Sequence, residues 1–229
     1  MGAIRTESVE RAMSILNAFT SQSPRMTLAE LARETGLHKS TIIRLTNSMT
    51  LYGFINKEAD GRYAVGASVW RLGLIFGQDF ESGQEIRPIL KELVEAIGET
   101  ASFYVRAGDE RVCLYRENSP NLIRFHMEEG MRLKLNTGAS GMVLRHFGGE
   151  DIDDLSRLNE NGTAVSVGAH NPNIASIATP VFTLNGDLKG ALAVSGLITR
   201  FDDKARQRAI PLLEASAHKL RPLVGLPRQ

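Results

Sequence analysis

The chain of 229 residues contains a single cysteine, Cys113. A lone cysteine excludes an intramolecular disulfide and any metal site built from several thiolates. Long apolar runs are also missing, since Leu72–Gly77 and Gly190–Ile198 fall well short of the roughly 18 residues a membrane span needs. Met1–Glu10 is polar and charged, so no secretory leader is expected, and the cytoplasm is the expected compartment. Met1-Gly2 with Thr6 fits the loose N-myristoylation pattern, one short enough to arise often by chance. An excess charge of either sign is lacking too, with 27 Lys+Arg against 26 Asp+Glu and a net charge of +1. Spread evenly, that balance argues against a nucleic-acid partner. What remains is an ordinary globular composition, 42% apolar and 23% charged, which excludes a disordered chain or a collagen. At roughly 150 residues per domain, the length suits one large domain or two small ones with ample core.

The charge is not spread evenly. Residues 1–63 carry a surplus of basic side chains and residues 64–85 a surplus of acidic ones, while residues 86–229 nearly balance. From Thr35 to Lys57 there is no acidic side chain, yet His38, Lys39, Arg44 and Lys57 lie there. A local basic face can meet phosphate on a neutral protein, because screening makes near charges outweigh distant ones. A solvated helix face with few acids by chance is the plainer alternative.

The first 65 residues weigh against that alternative. Ser8 is the expected N-cap of a helix to about Thr20, with Val9, Ala12, Leu16 and Phe19 forming one stripe. Thr27-Leu28-Ala29-Glu30 is a capping box opening a short helix that stops at Thr35-Gly36. A second helix, from about His38 to Leu51, is expected to bury Ile42, Leu45 and Met49. Its other face shows Lys39, Ser40, Thr41, Arg44, Asn47 and Ser48. Two short helices joined by a tight glycine turn, the second basic outward, make a helix-turn-helix. Arg44 can fork onto guanine or a phosphate, and Asn47 can pair with adenine. Residues 53–56 and 62–65 flank Glu58-Ala59-Asp60-Gly61 and read as a β-hairpin, hence a wing carrying Arg62. The candidate DNA-binding set is therefore Thr27, Arg62 and those six residues of the second helix. A three-helix packing unit without DNA is the alternative.

From Gly66 to Gly83 the pattern is helical, with Val69, Leu72, Ile75 and Phe76 at helix spacing beside Trp70. This linker helix is expected to expose apolar surface and pack on a partner subunit, a helix packed on its own domain being the alternative. A helix follows from about Arg87 to Ile97, with Pro88 in its first turn. Strands are expected at Ala101–Arg106, Arg111–Arg116, Leu122–Met127, Ile174–Thr183 and Leu188–Ser195, the last two joined at Asn185-Gly186. Residues 136–141 lead into a helix to about Phe147, and Asp202–Leu220 forms the last, with Pro211 inside it. The fold class is α+β: a winged helix-turn-helix over 1–65, a linker helix over 66–85, and an antiparallel sheet flanked by helices over 86–229.

Taken together, Ser8-Val9-Glu10-Arg11-Ala12, Leu28-Ala29-Glu30-Leu31-Ala32, Gly36-Leu37-His38-Lys39-Ser40-Thr41, Gly61-Arg62-Tyr63 and Ala193-Val194-Ser195-Gly196 resemble the IclR family of bacterial transcriptional regulators. The resemblance runs in order along almost the whole chain. It implies a GAF-like effector domain at the C-terminal end, and homodimers or dimers of dimers on palindromic operator DNA. His38 departs from it, standing where many members have proline, and the stretch from Gly141 to Ile174 is short.

The resemblance also implies a small carboxylate effector held by backbone amides at a helix N-terminus and by polar side chains of facing strands. In this chain the amides belong to Gly138, Ala139 and Ser140, and the hydroxyls to Ser176 and Ser195. Phe125, Leu133 and Ile174 supply apolar wall, Ala193 replaces a polar residue of some members, and Ser166 stands near an acidic position of others. Few polar groups and one aromatic wall suggest a bulkier acid, aromatic acids included, rather than glyoxylate-like metabolites. Serines kept small for packing are the alternative. His126 and His170 read as surface or packing histidines, with pocket lining as the lesser role.

Catalysis finds little support. Gly138-Ala139-Ser140-Gly141 misses the G-x-S-x-G nucleophile elbow by one residue. His38, His126, His146, His170 and His218 form no i, i+4 pair, so no metal is expected, and no cofactor either. Cys113 reads as a buried inert thiol, and the sequon Asn161-Gly162-Thr163 as silent. The expectation is an effector-responsive DNA-binding regulator without enzymatic activity or membrane attachment. A module answering to a protein partner rather than a metabolite is the alternative.

Overall fold

The computed structural model describes residues 5–79, 83–125, 127–152 and 155–223. Met1-Gly2 of the myristoylation pattern and His126 lie outside the described residues. The chain divides into two units, Met1–Gln78 and Asp79–Gln229.

The first unit opens with α1 (Glu7–Asn17). Its N-cap is Thr6, whose carbonyl takes the amides of Val9 and Glu10 at 3.0 and 3.1 Å, so Ser8 lies inside the helix rather than capping it. The helix also stops before Thr20, because the Ala18 amide turns back to the Ile15 carbonyl at 3.3 Å. A two-residue strand, β1 (Arg25–Met26), leads into α2 (Leu28–Thr35) and α3 (Lys39–Leu51). The turn between the helices needs Gly36, whose φ of 69° is the left-handed conformation that side chains resist. α3 buries Ile42, Thr46 and Met49. Leu45, expected in the core, is half-buried, and Thr46 takes the inner place by returning its hydroxyl to the Ile42 carbonyl at 2.8 Å. β2 (Ile55–Lys57) and β3 (Tyr63–Val65) form the hairpin, and β1 adds to it in the order β1-β3-β2. α4 (Ala67–Asp79) follows.

The second unit begins with α5 (Gly83–Ile97), which starts ahead of Arg87. Pro88 therefore lies inside α5, where its missing N–H forfeits one early helix bond. Six antiparallel strands come next: β4 (Thr100–Ala107), β5 (Glu110–Glu117), β6 (Arg132–Lys134), β7 (Ala164–Val167), β8 (Ile174–Phe182) and β9 (Leu188–Leu197). Their order in the sheet is β6-β5-β4-β9-β8-β7. Between β6 and β7 stand α6 (Gly138–His146) and a 3-10 turn at Leu155–Arg157, and α7 (Asp203–Leu220) ends the unit.

Strand alternation sorts the sheet into two faces. Phe103, Ile177, Leu192 and Val194 pack with Leu90 of α5 and Leu213 of α7. Tyr104, Cys113, Ala178, Ala191 and Ala193 pack with Val143 and Leu144 of α6. The alanines on that second face let α6 lie close to the sheet. The strand expected at Leu122–Met127 does not form. Leu122 and Ile123 are 95% and 71% exposed there, and side chains pin the loop instead, Arg116 donating to the Phe125 carbonyl at 2.8 Å. The edge of β5 is taken by β6, which pairs Leu133 with Arg111. No described helix is long and apolar enough to cross a membrane.

Candidate functional site

In the first unit α3 presents Lys39, Ser40, Arg44, Asn47 and Ser48 to solvent, with Thr41 half-buried among them. The helix has no acidic residue in its first turn. Ion pairs of this unit lie elsewhere, Arg25 with Glu58 at 2.8 Å and Arg62 with Asp60 at 3.6 Å, which leaves Lys39 and Arg44 without an acidic partner among the described residues. Both cations are thus available to phosphate or base edges. Thr27 is committed locally. Its hydroxyl donates to Glu30 Oε2 at 2.8 Å and accepts from the Glu30 amide at 3.3 Å, while its own amide donates to Glu30 Oε2 at 2.7 Å. Arg62 stands at the wing, its amide donating to Asp60 Oδ1 at 3.0 Å, with Arg25 pairing with Ala64 on the strand beside it. The role of Arg25 was absent from the sequence reading because a strand of two residues has no period to detect.

In the second unit a cavity lies between the first turn of α6 and the sheet, small at about 50 Å³. It gathers Gly138, Ala139 and Ser140 from α6 with Ser166, Ser176 and Ser195 from the strands. Those three strand serines stand in one row, Ser166 paired with Ser176 and Ser176 with Ser195. Phe125, Leu133, Ile174 and Ala193 complete the set named from sequence, and all ten residues line the same space. Thr137, the N-cap of α6, makes no capping bond, and its hydroxyl goes to the Lys134 carbonyl at 3.3 Å. The first amides of the helix therefore lack both an intrahelical partner and a side-chain cap.

The N-terminal sequence matches the family model for the IclR helix-turn-helix domain over residues 8–59, and the model for the bacterial transcriptional regulator IclR C-terminal domain matches 81–153 and 150–221. The chain belongs to the IclR family. It is a DNA-binding transcriptional regulator. Relatives of this IclR-family chain include the HTH-type transcriptional regulator KipR of Bacillus subtilis, 23% identical over 87% of this chain and 89% of that protein. The transcriptional repressor IclR of Escherichia coli is 23% identical over 93% and 88%. An IclR homolog from Microbacterium hydrocarbonoxydans, solved in complex with 4-hydroxybenzoate, shares the fold with a TM-score of 0.73, covering 94% of this chain and 98% of that one at 18% identity.

Other residues of the cavity were not chosen from sequence. Tyr104 and Met127 are buried there, and burial pushes the Tyr104 hydroxyl up to about 12. His170, read as a packing histidine, stands exposed at the mouth with its ring edge-on to Phe125, centroids 5.7 Å apart. Arg111 is the most consequential omission. It lines the cavity while only 3% exposed. The available signal was its place two residues before Cys113 in an alternating strand, which puts both on the inward face.

Proposed function

We propose that this IclR-family regulator reads operator DNA through Lys39, Ser40, Thr41, Arg44, Asn47 and Ser48 of α3, aided by Arg62 of the wing. A small organic acid bound in the cavity beside α6 changes its operator affinity. The domain plan is a winged helix-turn-helix over 1–65, a linker helix over 66–85 and a GAF-like effector domain over 86–229. The observation that carries the acid is the uncapped first turn of α6 facing a registered row of serine hydroxyls within one cavity. Free amides and the helix dipole favour an anion, and hydroxyls add neutral donors. The Microbacterium hydrocarbonoxydans neighbour holds a carboxylate, 4-hydroxybenzoate, which supports the ligand class. A volume of about 50 Å³ admits a carboxylate head but not a ring, so an aromatic acid must part Phe125 and His170 at the mouth.

The test is gel-shift on the DNA upstream of the protein's own gene, with glyoxylate, benzoate and 4-hydroxybenzoate added singly, alongside thermal shift. At least one acid is expected to raise the melting temperature and to alter the shift. Stabilisation by neutral compounds only would remove the anion site.

A further inference from the structure

Arg111 rises from β5 into the cavity beside α6, and no acidic side chain meets its guanidinium among the described residues. One terminal nitrogen donates to the Lys134 carbonyl, and the guanidinium lies 5.7 Å from the centre of the Tyr104 ring. Its Nε is buried and has no hydrogen-bond partner among the described residues. The group also packs against the first turn of α6. A Cβ placed on Gly138 would come within 3.3 Å of one terminal nitrogen, and a Cβ on Gly141 within 2.8 Å of the other. Burial lowers the affinity of the guanidinium for its proton, yet arginine keeps its charge in proteins.

Two positive features thus converge without a negative one among the described residues. A buried cation without a counter-ion is costly, and the positive end of an uncapped helix beside it adds repulsion. The carbonyl of Lys134 and the face of Tyr104 offset only part of that cost, since neither carries a negative charge. An anion between the two positive features would relieve both, accepting a charge-assisted hydrogen bond from the guanidinium. Away from this corner Phe125, Met127, Leu133 and Ile174 supply apolar wall and the strand serines neutral hydroxyls, so that apart from His170 at the mouth no described lining residue offers a second charge a counter-ion.

We propose that Arg111 is the counter-ion of the effector, so that the cavity selects a monocarboxylate whose apolar remainder points toward Phe125 and Ile174. The proposal rests on the acid-sensing reading given above. It adds a specificity-determining residue and narrows the ligand class from acids in general to monocarboxylates.

Titration of the wild-type protein with glyoxylate, benzoate and 4-hydroxybenzoate, each paired with its primary amide, and with phthalate sets the baseline. At least one monocarboxylate should bind, its amide should not, and phthalate should bind at least about tenfold more weakly than benzoate. Arg111→Met should weaken the binding monocarboxylate about 10- to 100-fold, as loss of a charge-assisted bond implies, with Arg111→Lys between the two. Arg111→Met should also keep or raise the ligand-free melting temperature, because it removes a buried charge that nothing balances. A merely structural arginine would do the reverse, so a lower melting temperature with acid binding intact overturns the proposal. Acid binding within threefold of wild type in both variants discards Arg111 as counter-ion and leaves the acid-sensing reading standing. If no carboxylate binds the wild-type protein, both readings fall together. Should Arg111→Met not fold, Arg111→Lys and the comparison of benzoate with phthalate on wild-type protein still decide, and equal binding of phthalate counts against the monocarboxylate.

Discussion

Cys113 has no exposed surface, and burial pushes its thiol up to about 11. The sulfur therefore stays protonated and weakly nucleophilic near neutral pH. A thiol reagent such as DTNB should label native protein at pH 7.5 only at the rate of unfolding, and release one equivalent at once in denaturant. Rapid labelling of native protein would show that β5 opens locally. Elsewhere, the capping box ties α2 to its turn. The amide and hydroxyl of Thr27 hold the Glu30 carboxyl below its usual range. A depressed folded pKa stabilises above the ordinary carboxylate value and is lost as pH falls through the folded one. Glu30→Gln should therefore flatten the acid limb of the melting curve, while Thr27→Ala should lower stability by about 1 kcal/mol at neutral pH. This box was legible because its bonds span residues 27–30 alone. Arg111 was not legible, since its meaning depends on three elements, β5, β6 and α6, meeting around one side chain.

At the scale of elements, legibility follows length. α2, α3, α7 and the β8–β9 hairpin each carry several repeats of their period, or a cap or turn written in adjacent residues, and the sequence reading met them closely. β1, β6 and β7 have two, three and four residues, too few for alternation to stand out. The apolar residues 122 and 123 misled in the opposite sense, since they belong to an exposed loop. The cavity depended on both kinds of element. Its serines on β8 and β9 were placed by the hairpin, but Ser166 reaches the row only because β7 pairs with β8. In α3 the reading concerns the solvent face. Arg44→Ala should cost about 1–3 kcal/mol of operator binding and relax preference at one base in each half-site, as a lost base contact does. Lys39→Ala should weaken all sequences alike and reduce the salt slope by about one. Competition binding across a set of single-base operator variants at several salt concentrations separates the two effects. If neither variant alters operator affinity, α3 is not the reading helix.

The whole molecule is nearly neutral, +1 over 229 residues, and residues 1–63 carry eight Lys/Arg against six Asp/Glu, so a single reading unit has only modest general attraction for DNA. We infer that affinity comes from several reading units acting together, joined through the exposed apolar side chains of α4. Along it Trp70 is 71% exposed, with Leu72, Leu74, Ile75 and Phe76 each between 42% and 51%. Several large apolar side chains exposed along one helix mark an association surface more often than a solvated helix. A second copy of this chain is the occupant that also answers the charge problem. Two heads joined through α4 turn the second half-site contact into an intramolecular event, gaining 10²-fold or more without any new contact to DNA. Trp70→Glu places a charge at the most exposed of these positions, so the fold should survive while association does not. Sedimentation velocity should show wild-type dimers or larger species dissociating to monomer in the variant. Operator affinity should drop by at least about tenfold, and affinity for an isolated half-site should stay unchanged. Loss of half-site binding as well would mean that Trp70 supports the reading unit itself. A variant that remains dimeric with full operator affinity would move the subunit contact away from α4.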